Sequence, residues 1–486
     1  MPLKFVFGPS GSGKSTYLYQ HVIEESEKYP LKNFIVLVPE QFTMQTQKDL
    51  VSMHPRHGIM NIDVLSFARL AYRVFEETGT KQMQVLDDEG KNLILRKIAG
   101  DYENKLTVLK GNIKKLGYIS EVKSVISEFT QYDIGEEEMD EMLDHLDEDS
   151  RLYYKLKDIR LLYEGFQDYL RERYITKEEL LDVLNSQVKE SELLKNSVVV
   201  LDGFTGFTPV QNRLILELMR CCKEVWVTVT MDERENPYAY KHPYQLFGLS
   251  KQMVTTLVRM AGEDHIEVEE PVCLYGYPVK RFEKNQELAF LERNIFRYGS
   301  GRYDKAVENL EIHAAGNPRQ EADAVAEGIR RLVRKEQYRY RDIGVIVSDM
   351  NVYGDYLEQA FENYGIPVFM DHKRSILLNS FVEYIRSLLN MAEKNFSYES
   401  VFRFLRTNLA GFACEEVDEL ENYVLGLGIR GYKGWQNRWI RRLKGMEEEE
   451  LDRLNHYRVQ LVEKVDNLMF VLKQKRKTVR DITMAV

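Results

Sequence analysis

Nine residues near the start of the chain, "FGPSGSGKS" (Phe7–Ser15), constrain it more than any others. Gly8-Pro9-Ser10-Gly11-Ser12-Gly13-Lys14-Ser15 fits G-x-x-x-x-G-K-[ST] and directly follows the apolar run "LKFVF". This spelling predicts a phosphate-binding loop between a strand and a helix. Glycines let successive amides turn toward one anion, and the helix that follows adds its positive end. The expected nucleotide-binding set is Gly8, Ser10, Gly11, Ser12, Gly13, Lys14, Ser15 and Thr16. Lys14 reaches the outer phosphates and the Ser15 hydroxyl ligates magnesium. The alternative is a glycine-rich turn that arose by chance.

Strand-like runs recur after the loop: "FIVLVP" (Phe34–Pro39), "IDVLSF" (Ile62–Phe67), "SVVVLD" (Ser197–Asp202) and "EVWVTVT" (Glu224–Thr230). Their near-continuous apolar character suits a parallel sheet covered on both faces. The intervening helical patterns make the class α/β. Between Asp87 and Lys195 strand signals give way to charged amphipathic helices, read as an insertion (residues 87–195) in a first domain made of 1–86 and 196–290. A second α/β pattern is expected over 291–395, with "NLEIHAA", "RDIGVIVSD" and "IPVFMD" as strands and "GNPRQEADAVAEGIRRLVRK" and "YGDYLEQAFENYG" as helices. Residues 396–486 read as an incomplete helical insertion, so the chain is expected to be a fragment.

A net charge of −10 argues against a basic nucleic-acid coat, though a local groove remains compatible with it. No apolar run is long enough to cross a bilayer, and no secretory leader precedes the loop. The four cysteines, Cys221, Cys222, Cys273 and Cys414, lack metal-ligand spacing. A reducing cytoplasm is the expected location. Basic clusters in "NRWIRRLKG" and "KQKRK" read as solvated helix faces beside the acidic Glu447–Glu450 run.

Asp202 ends an apolar strand, where an acid can hold Mg²⁺ through water. Nucleotide hydrolases commonly place a water-orienting glutamate next; here Gly203 follows. The loop therefore either holds a nucleotide without hydrolysing it or relies on another acid, of which Glu40 is the nearest candidate. A small-molecule kinase is the third reading, though the helical insertion and second α/β pattern have no role in one.

The ordered set of the loop, "VLVPEQFTMQ", "DVLSFARLAYRV", "VLDGFTGFTPVQ", "YRDIGVIVSD", "GIPVFMDHKRSILLNSFVEYIRSLL" and "LENYVLGLGIRGYKGW" resembles the AddB (RexB) family, subunits of bacterial AddAB helicase–nucleases. The resemblance covers Met1 to about Trp435. It implies a superfamily-one-helicase-like fold of two RecA-like P-loop domains with helical insertions. It also implies a role in processing double-strand breaks beside an AddA-type motor subunit, on single- and double-stranded DNA, with ATP and Mg²⁺ as ligands. An iron–sulfur cluster and a nuclease are expected only in a C-terminal part that this chain lacks.

Motor hallmarks of related helicases are missing. Gly203 stands for the glutamate, "MDEREN" for a Gly-Asp…Gln signature, and Ser348-Asp349 where an arginine is expected. The resemblance further implies that Gln41, Thr43, Phe67, Arg69 and Tyr72 help to hold the recombination hotspot Chi, and Phe207 after Asp202 is expected to add a stacking face. Phe204 is the alternative to Phe207. Family members often carry an indole at the position of Tyr72, so stacking there is expected to be weaker. From the residues alone, "SFARLAYRVF" is equally a capped helix start whose aromatics pack inward.

Overall fold

The computed structural model describes residues 2–79, 84–113, 115, 117–171, 174–299, 301–371 and 376–486. It divides into two compact units, Met1–Ile312 and His313–Val486.

The first unit is built on a parallel sheet. Its strands are β1 (Leu3–Gly8), β2 (Asn33–Leu37), β3 (Ile62–Leu65), β6 (Ser197–Leu201), β7 (Glu224–Thr230) and β8 (Val272–Cys273). Their order is β3-β2-β6-β7-β1-β8. Successive side chains point to opposite faces, and each face is covered. Phe5, Phe7, Ile35, Leu37, Val199 and Val227 meet helix α3 (Phe67–Thr78) and the helix Pro209–Cys221 on one side. Val6, Phe34, Val36, Val200 and Trp226 meet α1 (Lys14–Lys28) and α2 (Thr43–Met53) on the other. This two-sided burial explains the continuous apolar spelling of these strands.

Because every strand of this sheet runs the same way, its carboxyl ends share one edge. That edge carries the glycine-rich loop after β1, Pro39–Phe42 after β2, Ser66 after β3 and Asp202 after β6. The path from β1 to β2 skips two positions, leaving β7 and β6 between them.

Residues 88–171 contribute α4 (Asp88–Asp101), α5 (Tyr118–Gln131), α6 (Glu136–Asp144) and α7 (Arg151–Leu170), which enclose their own core around Leu95, Ile98, Leu162 and Phe166. Buried Asp158 receives the amides of Thr107, Val108 and Leu109 at 2.8–2.9 Å, which fixes the turn after α4. Two features depart from the expected all-helical insertion. Within it, short strand β5 (Tyr174–Thr176) pairs in parallel with β4 (Gln84–Leu86), which lies just before the insertion, and Leu180, Leu184, Val188 and Leu194 join the core of the main sheet.

In the second unit the helices Pro318–Lys335 and Met350–Asn363 pack through Ala322, Ala326, Leu357 and Phe361. Helices from Ser380 to Ala485 close a separate core around Trp435, Tyr423, Phe404 and Leu461. The expected strands "NLEIHAA", "RDIGVIVSD" and "IPVFMD" are not formed; among the described residues they join no ladder. A strand needs a neighbour for its amides and carbonyls. Without one, Ile312 and Ile346 are fully exposed, and Ile343, Val345, Ile366 and Val368 line an apolar cleft of about 810 Å³. Residues His372–Ser375, within the "HKRS" of the family-like stretch, lie outside the described residues. "NRWIRRLKG" is not a helix face either. Trp439 is buried against Tyr423 and Trp435, and the surrounding arginines lie exposed on irregular backbone.

Candidate functional site

The loop after β1 has the geometry its glycines allow. Gly11 and Gly13 take φ of +84° and +92°, the left-handed region that side chains rarely adopt. Gly13 starts α1 without a side-chain cap, so the amides of the first turn face outward from the helix start. Gly8 is needed for a different reason: a Cβ there would stand 2.4 Å from the Ser12 hydroxyl oxygen and 3.0 Å from the Leu274 carbonyl. Ser10 and Ser15 are exposed, while Ser12 and Thr16 are half-buried. The Ser12 hydroxyl oxygen is buried with no partner.

The Lys14 ammonium donates to the carbonyls of Gly8 and Pro9 at 2.9 and 3.0 Å. Burial lowers its pKa to about 8, helped by Arg281, while Asp202 and Glu292 oppose the shift. Arg281 reaches the loop from the segment after β8. Its amide donates to the Gly11 carbonyl at 3.0 Å, and its Cβ lies 2.8 Å from where a Gly11 Cβ would be. Lys280 passes Gly13, with its Cδ at 3.3 Å from the equivalent point. Sequence reasoning missed both cations, because some two hundred and sixty residues of chain separate them from the motif. The available signal was their position just after a short apolar run, "VCLY".

Asp202 is buried at the end of β6. One carboxylate oxygen accepts from the Tyr19 hydroxyl at 2.7 Å and the other from the Thr228 hydroxyl at 2.6 Å. Thr228 in turn accepts from the Gly203 amide at 3.3 Å. Gly203 has φ of +79°, so the residue after the acid turns in a way a glutamate would resist. The oxygen donors Ser15 and Asp202 suit a hard cation such as Mg²⁺, which takes one or two protein oxygens beside phosphate and water. Arg234 of "MDEREN", with Arg297 from farther along the chain, holds the Asp232 pKa at about 2 despite its partial burial.

The six residues expected to touch DNA divide by exposure. Gln41 and Arg69 are exposed, and Tyr72 is 41 % exposed. Thr43 is buried and donates to the Glu40 carbonyl at 3.0 Å. Phe67 is 8 % exposed; its ring centroid lies 5.4 Å from that of Phe204 and 6.4 Å from that of Phe207. Phe204 and Phe207 are half-buried and 5.2 Å apart. Phe67 thus backs the cluster rather than presenting a face. Two exposed apolar side chains on the same stretch as Gln41 were overlooked: Phe42, 50 % exposed, and Met44, 80 % exposed. Ser66 caps α3 by accepting from the Arg69 amide, so the capped-helix reading of "SFARLAY" describes the backbone and leaves Arg69 and Tyr72 outward.

A parallel sheet covered by helices, with a glycine-rich turn between its first strand and first helix, defines the class: an α/β protein. The family model described as "ADDB, N-terminal" matches residues 5–292. The chain is 43 % identical, over its whole length, to a protein of Lachnoclostridium phytofermentans named as the B subunit of an ATP-dependent helicase/deoxyribonuclease, of which it covers 42 %. Proteins of that name from Caldanaerobacter subterraneus and Clostridium acetobutylicum are 36 % and 32 % identical over 94 % and 92 % of the chain, which covers 39 % and 38 % of them. The chain belongs to the AddB family and spans about two fifths of the length of these relatives.

Proposed function

We propose that this chain is the helicase-like part of an AddB protein that processes double-strand DNA ends for recombinational repair. In this reading it holds ATP without acting as the motor, and it scans single-stranded DNA for Chi. The observation that carries the reading is the pairing of a well-formed phosphate loop with a left-handed Gly203 after Asp202. The backbone there disfavours the glutamate that would orient water.

Gly8, Ser10, Gly11, Ser12, Gly13, Lys14, Ser15 and Thr16 cradle the phosphates, and Ser15 and Asp202 are the residues to hold Mg²⁺. Bound there, Mg²⁺ would supply charge neutralisation for the phosphates. The protein's own contribution is to orient them through loop amides and Lys14. Gln41, Arg69 and Tyr72 meet the passing strand, Phe207 offers a ring edge or face, and Thr43 and Phe67 hold that surface in place. Such edges are where open α/β sheets bind ligands. An AddA-type protein is the motor partner, and the complex works in the cytoplasm. No described helix is long and apolar enough to cross a membrane. The first RecA-like domain comprises 1–86 and 196–290 with its insertion at 87–195. The second begins at 291–395, with a further insertion at 396–486.

The test is a Chi-dependent assay in the assembled helicase–nuclease. Arg69→Ala is expected to weaken attenuation of degradation at Chi while end-initiated unwinding continues. Full Chi response in that variant and in Gln41→Ala would reject the scanning role.

A further inference from the structure

Tyr19 lies one helical turn beyond Ser15 on α1, on the same helix face. Its buried hydroxyl has two partners. Asp202 accepts from it at 2.7 Å, and the Thr46 hydroxyl stands 3.4 Å away on α2. Thr46 is also buried, one turn beyond Thr43 and thus on the helix that follows Gln41 and Phe42. Burial and the neighbouring Asp202 push the Tyr19 pKa far up, so the phenol keeps its proton. A single hydroxyl therefore stands between the acid of the nucleotide site and the helix that begins the candidate DNA edge.

We propose that Tyr19 is a two-position relay coupling Mg²⁺–nucleotide at the phosphate loop to single-stranded DNA at the Gln41–Met44 edge. This rests on the functional reading given above. In one position the hydroxyl donates to Asp202. In the other it would donate to the Thr46 hydroxyl, the position favoured when Asp202 is engaged by the Mg²⁺ that it and Ser15 would hold. The longer contact to Thr46 then shortens, drawing α2 toward α1 and shifting Gln41 and Phe42. Thr228 holds the other oxygen of Asp202 and the Gly203 amide, so the carboxylate itself stays in place. Both ligands bias one discrete element, which is the physical requirement for coupling, and the effect is reciprocal.

The experiment uses the full chain with a fluorescent oligo-dT and the non-hydrolysable probe Mg²⁺–adenylyl imidodiphosphate. Wild type is expected to change its DNA Kd by about fivefold or more when the probe is added, and not in EDTA. Tyr19→Phe is expected to bind each ligand alone within about twofold of wild type, with the coupling factor falling to near one. Thr46→Val, which leaves the Asp202 bond intact, is expected to lose the coupling too and serves if Tyr19→Phe fails to fold. Unchanged coupling in a folded variant overturns the relay, as does a wild type that binds both ligands independently. Failure of wild type to bind either ligand overturns the functional reading, and the relay with it.

Discussion

At the scale of single residues, two groups bear most on the proposed nucleotide binding by the glycine-rich loop. Lys14 has its pKa lowered to about 8 by burial, and a bound phosphate favours its charged form. On the proposed reading a nucleotide complex would therefore hold more protons than the free site. Nucleotide affinity is expected to be flat below pH 8 and to fall above it, by up to about tenfold per pH unit. Calorimetric titrations between pH 7.5 and 9.5 check this, with Lys14→Ala expected to bind weakly and without that slope. The second group is Gly203, at φ +79°. Gly203→Glu is expected to destabilise the chain by about 1–2 kcal/mol, the strain of a left-handed side chain, and to gain no hydrolysis. A thermal melt beside a phosphate-release assay measures both.

Elements, rather than residues, decide which aromatics can meet a base. Helix α3 is anchored by its Ser66 cap and by Leu70, Ala71 and Val74 in the core, and this rotation turns Phe67 inward and Arg69 and Tyr72 outward. Tyr72→Ala is therefore expected to lower single-strand affinity by about 1 kcal/mol or more with little change in stability. Phe67→Ala is expected to destabilise the fold by about 3–5 kcal/mol, the range for emptying a buried aromatic site. Paired denaturation and binding curves separate the two. The helix cap, the strand ends and the strand–turn–helix backbone of the glycine-rich loop were legible in the sequence, because each follows from local chemistry. Phe67 was ambiguous because an aromatic one residue after a cap spells the same whether it packs or stacks. Thr228 was not legible as a site residue, and Lys280 and Arg281 were signalled only by the short apolar run before them. They reach the site through strand order, with β7 and β8 flanking β1, and strand order is not a local property.

At the scale of the molecule, the two units differ in how far their apolar surface is covered. The sheet of the first unit is buried on both faces. In the second, the apolar spelling of residues 343–347 and 366–370 is that of strands, yet the segments lack a ladder and line a cleft of about 810 Å³. The strand reading of the sequence took pattern for pairing; a pattern states which face would be buried, while pairing needs a neighbour. Amides 343–347 and 366–370 are expected to exchange rapidly in this chain, and hydrogen exchange followed by mass spectrometry measures it.

Whether the phosphate loop holds ATP without driving a motor is tested most directly by ATP binding and ATP turnover measured on one sample. Wild type is compared with Lys14→Ala, with and without single-stranded DNA. Lys14-dependent binding is expected, with no turnover above the Lys14→Ala background and no change on adding DNA. Turnover that rises with DNA and vanishes in Lys14→Ala would contradict a loop that holds its nucleotide without spending it.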